Sequence, residues 1–151
     1  MLPRTFKVIK FEPDTINLDY GGGRFETATN FLKQQNVENL VYDPYNRTSS
    51  HNKEVLDRIK ENKGANTATC NNVLNVIAEK SSRMRVIKNI YSLLKDNGKA
   101  YFCIYKGDGS SSPKETKAGF QNNYPTKWYT SEIQEVFSNV TISKDIIIAS
   151  K

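Results

Sequence analysis

The sequence predicts an α/β domain in which a mostly parallel sheet, reduced in size, carries helices on both faces and closes with an antiparallel C-terminal strand. Three observations predict it. An apolar strand signal with Ile16 and Leu18 runs into Gly21, Gly22 and Gly23, after which Ala28, Phe31, Leu32 and Gln35 fall on one helical face. A second short strand, residues 39–42, ends in Asp43 about twenty residues after the glycines, the spacing of a βαβ unit. Helical and strand periods then alternate to the C-terminus. A length of 151 residues suits one domain, 1–151, with a single core.

The elements follow in order. Residues 6–12 have strand character and suit a sheet edge. Residues 15–20 form the first strand and 39–42 the second, closed by Pro44. Val55, Leu56 and Ile59 seed a helix, and no clear third strand lies between Asp43 and Thr67. A strand and the segment leading into a helix occupy residues 67–77. Ser82 is placed to cap the helix that carries Val86, Ile87, Ile90, Leu93 and Leu94, with Gly98 as its stop. Residues 100–105 read as a central strand, followed by a polar loop that extends to Pro125. Ser131 and Gln134 match a capping box for a short helix with Ile133, Val136 and Phe137. Strand signals at 140–143 and 146–149 flank Lys144-Asp145, which suits a tight hairpin.

The glycine turn is the richest chemical signal. Glycine permits positive φ and removes the Cβ that would hold a ligand away from the backbone. A dinucleotide fingerprint asks for a third glycine where Glu26 stands, and a pyrophosphate there would meet its carboxylate. The pattern D-x-G-x-G of Asp19, Gly21 and Gly23 instead resembles the first motif of the class I S-adenosylmethionine-dependent methyltransferases. The donor in that family has a sulfonium and an ammonium and no phosphate, so a carboxylate beside the glycines favours it.

This resemblance covers most of the chain from Thr15 and implies a Rossmann-like fold. It implies that S-adenosylmethionine binds at Asp19, Tyr20, Gly21, Gly22 and Gly23, with its ribose on Asp43 beside Pro44. Residues 67–77 resemble the family's fourth strand, which brings Asn71 and Asn72 to the cofactor; Asn75 is placed either there or as a cap of the next helix. The family's usual acidic contact to adenine has no counterpart here. The 73–77 segment, Arg83, Arg85, and Gly119-Phe120-Gln121 before Tyr124 are also similar to a small methyltransferase-like family associated with DNA phosphorothioation loci.

On the acceptor side, Asn71-Asn72-Val73-Leu74 stands where base amino-methyltransferases carry (N/D)-P-P-(Y/F/W), which argues against adenine or cytosine amino groups. Tyr124, Lys127 and Trp128 are the candidate substrate-binding residues, and no catalytic residue is assigned. The formal charge of +6 is concentrated in residues 80–117, which suits either a solvated surface or a nucleic-acid partner. Cys70 and Cys103 sit in apolar runs without metal spacing, and no signal peptide or membrane-crossing run is present, so the expected location is cytoplasmic. His51, the only histidine, suits a loop or a helix start rather than a metal. Two alternatives to a methyltransferase are a cofactor-binding partner subunit without activity and a basic nucleic-acid-binding module.

Overall fold

A computed structural model describes residues 1–151. Its main sheet has six strands in the order β2-β1-β3-β4-β8-β7. β1 (Thr15–Tyr20) pairs in parallel with β2 (Val37–Tyr42) and β3 (Ala65–Asn71), and β3 pairs in parallel with β4 (Leu94–Cys103). β8 (Ile146–Ser150) then runs antiparallel to β4, and β7 (Asn139–Ser143) antiparallel to β8. Lys144 and Asp145 both take positive φ (53° and 59°), the geometry of a two-residue hairpin turn.

From β1 the chain moves outward once, through α2 (Thr27–Lys33) to β2. It then crosses back over β1 through α3 (Ser49–Glu61) to β3, and continues through α4 (Lys80–Leu93) to β4. The reversal of direction lies between β1 and β3, so a crevice opens at their carboxyl ends. No strand lies outside β2, as the sequence predicts.

Burial separates the two faces of the sheet. Ile16, Leu18, Ala68, Phe102 and Ile147 pack with Val55 and Ile59 of α3, Ile87 and Ile90 of α4, and Ile133 of α5 (Thr130–Gln134). Phe6 of α1 (Arg4–Val8), Phe11, Ala28 and Leu32 form a smaller cluster with Val37 on the other face.

Because β2 is an edge strand, its outward backbone groups need partners. The first turn of α3 supplies them: His51 Nε2 lies 2.7 Å from the Val41 carbonyl, and the Asn52 side chain bonds both Asp43 N–H (3.0 Å) and Asp43 C=O (3.1 Å). Thr48 caps this helix through His51 N–H. The single histidine thus serves at a helix start.

Several local expectations are corrected. Residues 6–12 do not add a strand: Arg4–Val8 is helical, because folding back buries Phe6 against Phe11 and lets Thr5 Oγ1 donate to Asn71 Oδ1. Ser82 lies inside α4, since Ser82 and Arg83 N–H donate to Glu79 C=O and the helix starts at Lys80. Gly98 does not stop that helix, which ends at Leu93; a Cβ on Gly98 would lie 2.8 Å from the Lys95 carbonyl, so close backbone approach explains the glycine. Ser131 is likewise interior to α5, which continues from a 3-10 turn at Thr126–Tyr129 without a side-chain cap. The long polar loop contains a small hairpin, β5 (Lys114–Thr116) with β6 (Gly119–Gln121), separate from the main sheet. No helix is long and apolar enough to cross a membrane.

Candidate functional site

The turn after β1 is shaped by what its glycines leave out. Gly21 has φ +74°, and a Cβ there would lie 2.6 Å from Val73 Cγ2. A Cβ on Gly22 would collide with the Asp19 carboxylate. The glycines therefore let the turn close over both neighbours, while Gly21 N–H donates to Tyr42 C=O at 2.7 Å.

Asp19 is buried at 2% exposure, and burial pushes its carboxyl up to about 6. Thr69 Oγ1 donates to it at 3.0 Å and opposes this rise. Thr69 belongs to a side-chain chain along one sheet face: Thr67 Oγ1 donates to Asn17 Oδ1 (2.8 Å), and Asn17 Nδ2 donates to Thr69 Oγ1 (3.0 Å) and Asn39 Oδ1 (2.9 Å). Such a ladder polarises its members and orients the carboxylate at its end. The sequence reading missed this support. Its signal is the alternation of polar and apolar residues in Asn17-Leu18-Asp19 and in Thr67-Ala68-Thr69-Cys70-Asn71.

Asn71 ends β3 beside this ladder. Its Oδ1 accepts from Thr5, which aims Nδ2 the other way, and that buried nitrogen has no partner. Asn72 follows in the left-handed region at φ 57° and is exposed.

Asp43 is 3% exposed and accepts from Gly23 N–H (2.9 Å), Tyr45 N–H (3.0 Å), Asn46 N–H (3.0 Å) and Asn46 Nδ2 (3.0 Å). Burial would raise its carboxyl, but these bonds outweigh it and hold the group below its ordinary value. They join the β1 turn to the β2 turn and occupy the carboxylate's four acceptor positions. Arg47 adds a second tie, through Gly23 C=O (2.8 Å) and Glu26 (2.7 Å), which fixes Glu26 at the start of α2.

Two clefts meet at Gly21 and Asn72. The smaller, about 130 Å³, takes in Asp19, Gly22, Asn71 and the N-terminal Met1 and Pro3. The larger, about 620 Å³, takes in Tyr20, Asp43, Pro44, Tyr45, Val73 and Val76. Gly23 contributes through its bond to Asp43 rather than by lining either cleft.

Tyr124, Lys127 and Trp128 line neither cleft. Tyr124 and Trp128 stack at 3.8 Å, and the Arg83 guanidinium sits 5.1 Å from the Trp128 ring while bonding Glu132 at 2.8 Å through two nitrogens. Asn75 caps no helix; it lies in the 3-10 turn Leu74–Val76, and its carbonyl accepts from Asn122 N–H at 2.9 Å. Among the basic residues of 80–117, Arg83 is buried with Glu132, Lys80 pairs with Glu135 and Lys114 with Asp108, while Lys80, Arg85 and Lys88 line one hollow along α4. Burial raises the Cys70 thiol pKa, as for a core thiol.

Comparison with known proteins agrees with this architecture. A family profile described as a methyltransferase domain matches residues 3–141. No curated protein matches the chain. A solved protein of Listeria monocytogenes, described as an S-adenosylmethionine-dependent methyltransferase, shares 13% identity with a TM-score of 0.58, covering 98% of this chain and 96% of that one. Human N-acetylserotonin methyltransferase, solved with S-adenosylmethionine, shares 16% identity with a TM-score of 0.57, covering 91% and 47%. An O-methyltransferase family 2 protein of Planctomyces limnophilus, solved with apigenin, shares 14% identity with a TM-score of 0.61, covering 99% and 56%. The chain therefore spans about half the length of the last two. These likenesses show the fold.

Proposed function

This chain belongs to the methyltransferase-domain family, and on that premise we propose that it binds S-adenosylmethionine across the glycine turn and transfers its methyl group to an acceptor. The carrying observation is the smaller cleft, which is lined by Asp19, a buried carboxylate, and by Asn71, whose buried Nδ2 has no hydrogen-bond partner. An α-amino acid end offers their complements, an ammonium and a carboxylate. The larger cleft suits the nucleoside end, with Asp43 and Pro44 beneath the ribose. Ribose hydroxyls reaching Asp43 would share or replace the bonds from Gly23 and Asn46.

Bound in this way, the cofactor would supply an electrophilic methyl group on a sulfonium. The chain's part is placement: Tyr20 and Gly21 to Gly23 shape the turn, and Asn72 stands where the clefts meet. An oxygen, sulfur, carbon or small-molecule amine acceptor fits the absence of the (N/D)-P-P motif. Tyr124, Lys127 and Trp128 would contact only an acceptor large enough to reach beyond the clefts.

Thermal shift with S-adenosylmethionine, S-adenosylhomocysteine and NAD tests the donor. The first two should stabilise the fold, by about 2.7 kcal/mol at a hundredfold excess over Kd, and NAD should not. No shift with either, or a larger one with NAD, would overturn the assignment. Methyl loss from the labelled donor to an added acceptor tests transfer itself.

A further inference from the structure

Helix α4 carries four cations, Lys80, Arg83, Arg85 and Lys88, and no acid. Two of them already have counter-charges: Arg83 is buried against Glu132, and Lys80 Nζ lies 3.0 Å from Glu135. Arg85 and Lys88 are exposed, and neither makes an ion pair or a side-chain hydrogen bond. They stand one helical turn apart, where like charges repel, and an anion held between them relieves that repulsion.

These cations share a concave surface. Lys80, Ser81, Arg85, Lys88 and Asn89 line one hollow along the outer side of α4, floored by Met84 at 9% exposure. No acid lines it. Arg85 and Asn89 also line the larger cleft, so the two spaces adjoin there.

We propose that this hollow docks a single strand of nucleic acid by its phosphates, independently of the cofactor. From Lys80 to Lys88 the helix rises about 12 Å, so its cations form a stripe that suits a repeating polyanion better than a lone anion. A membrane surface fits poorly, since the one apolar lining residue, Met84, is buried and leaves nothing to insert among acyl chains. A duplex fits poorly too. Arg83, Ile87 and Ile90 bury the inner side of α4, which lies flat on the sheet and cannot enter a groove. Arg85 supplies a planar fork for one phosphate, Lys88 a point charge for the next, and Ser81 and Asn89 neutral polar groups beside them.

Fluorescence anisotropy of the full chain with labelled RNA and DNA strands of about twelve nucleotides tests this. Both should bind at low salt, within about threefold of each other, because phosphates carry the contacts. Log affinity should fall against log salt with a slope of about −1.4, the value for two neutralised phosphates on a single strand. Arg85→Ala and Lys88→Ala should each reduce that slope by about 0.7 and weaken binding by about tenfold, whereas Arg85→Lys should keep the slope. Lys60→Ala, which removes the same charge from the exposed side of α3, should change neither. Arg85 and Lys88 are exposed, so their alanine variants should melt no lower than the wild type. An effect of Lys60→Ala equal to that of Arg85→Ala would reduce the binding to net charge and overturn the proposal. So would undetectable binding at low salt, or tighter binding to a duplex, to polyglutamate or to phosphatidylserine vesicles at matched charge. The thermal shift with S-adenosylmethionine is read separately, so either reading can fail without the other.

Discussion

The two faces of the main sheet are built for different purposes. The face under α3, α4 and α5 holds a cluster of 21 buried apolar residues, against five in the cluster under α1 and α2. Most of the hydrophobic stabilisation therefore lies on the first face, at about 1.5–3 kcal/mol for each large side chain fully buried. The second face gives much of its area to Asn17, Asp19, Asn39, Thr67, Thr69 and Asn71. Hydrogen bonds there roughly replace those lost to water, but Asp19 is held against its preferred ionisation and Asn71 Nδ2 is unpaired. One face stabilises the domain so that the other can hold strained polar groups at the mouth of a cleft.

The sharpest contrast comes from opposite responses to substitution. Phe102→Ala, at a fully buried position on the apolar face, should cost about 3–5 kcal/mol in urea denaturation.

Asp19→Asn should do the reverse. Its carboxyl is raised from 3.8 to about 6 in the folded state, so the group's contribution is full below about pH 4 and is lost as pH rises through 6. By pH 8 ionised Asp19 costs about 3 kcal/mol, and the asparagine variant should recover most of that while losing the steeper pH dependence. The same variant should bind S-adenosylmethionine at least about tenfold more weakly, because the ammonium loses its counter-charge. A destabilised Asp19→Asn at pH 8 would make the polar face structural rather than poised for a ligand.

Thr69→Val removes the hydroxyl that donates to Asp19 and accepts from Asn17. We expect a loss of about 1–3 kcal/mol, greater at pH 8 than at pH 5, where Asp19 is largely neutral. His51→Ala uncovers the Val41 carbonyl at the sheet edge and should cost about 1 kcal/mol without changing cofactor affinity. Denaturant titration paired with ligand titration separates these outcomes.

The first half of the fold was the more legible in the sequence. Ile16, Leu18, the glycines and Asp43 announce a βαβ unit through period and turn chemistry, and the missing third strand shows as a gap with room for one helix. Lys144-Asp145 likewise marks a hairpin. The misread elements are those in which distant contacts override local preference. Residues 6–12 look like a strand until Phe6 and Thr5 find Phe11 and Asn71.

For the site, residue types and spacing determined which groups are present: the glycines that clear a turn, the acid at each strand end, and the asparagines after β3. Local chemistry carries that information, since φ preferences and strand alternation act over a few residues. Tertiary structure alone decided how those groups are employed. It buried Asp19 at the end of a hydrogen-bonded ladder, filled the acceptor positions of Asp43, left Asn71 Nδ2 free, and put unpaired Arg85 beside the larger cleft. Desolvation and hydrogen-bond competition depend on which strands become neighbours, and that is settled only when the sheet assembles.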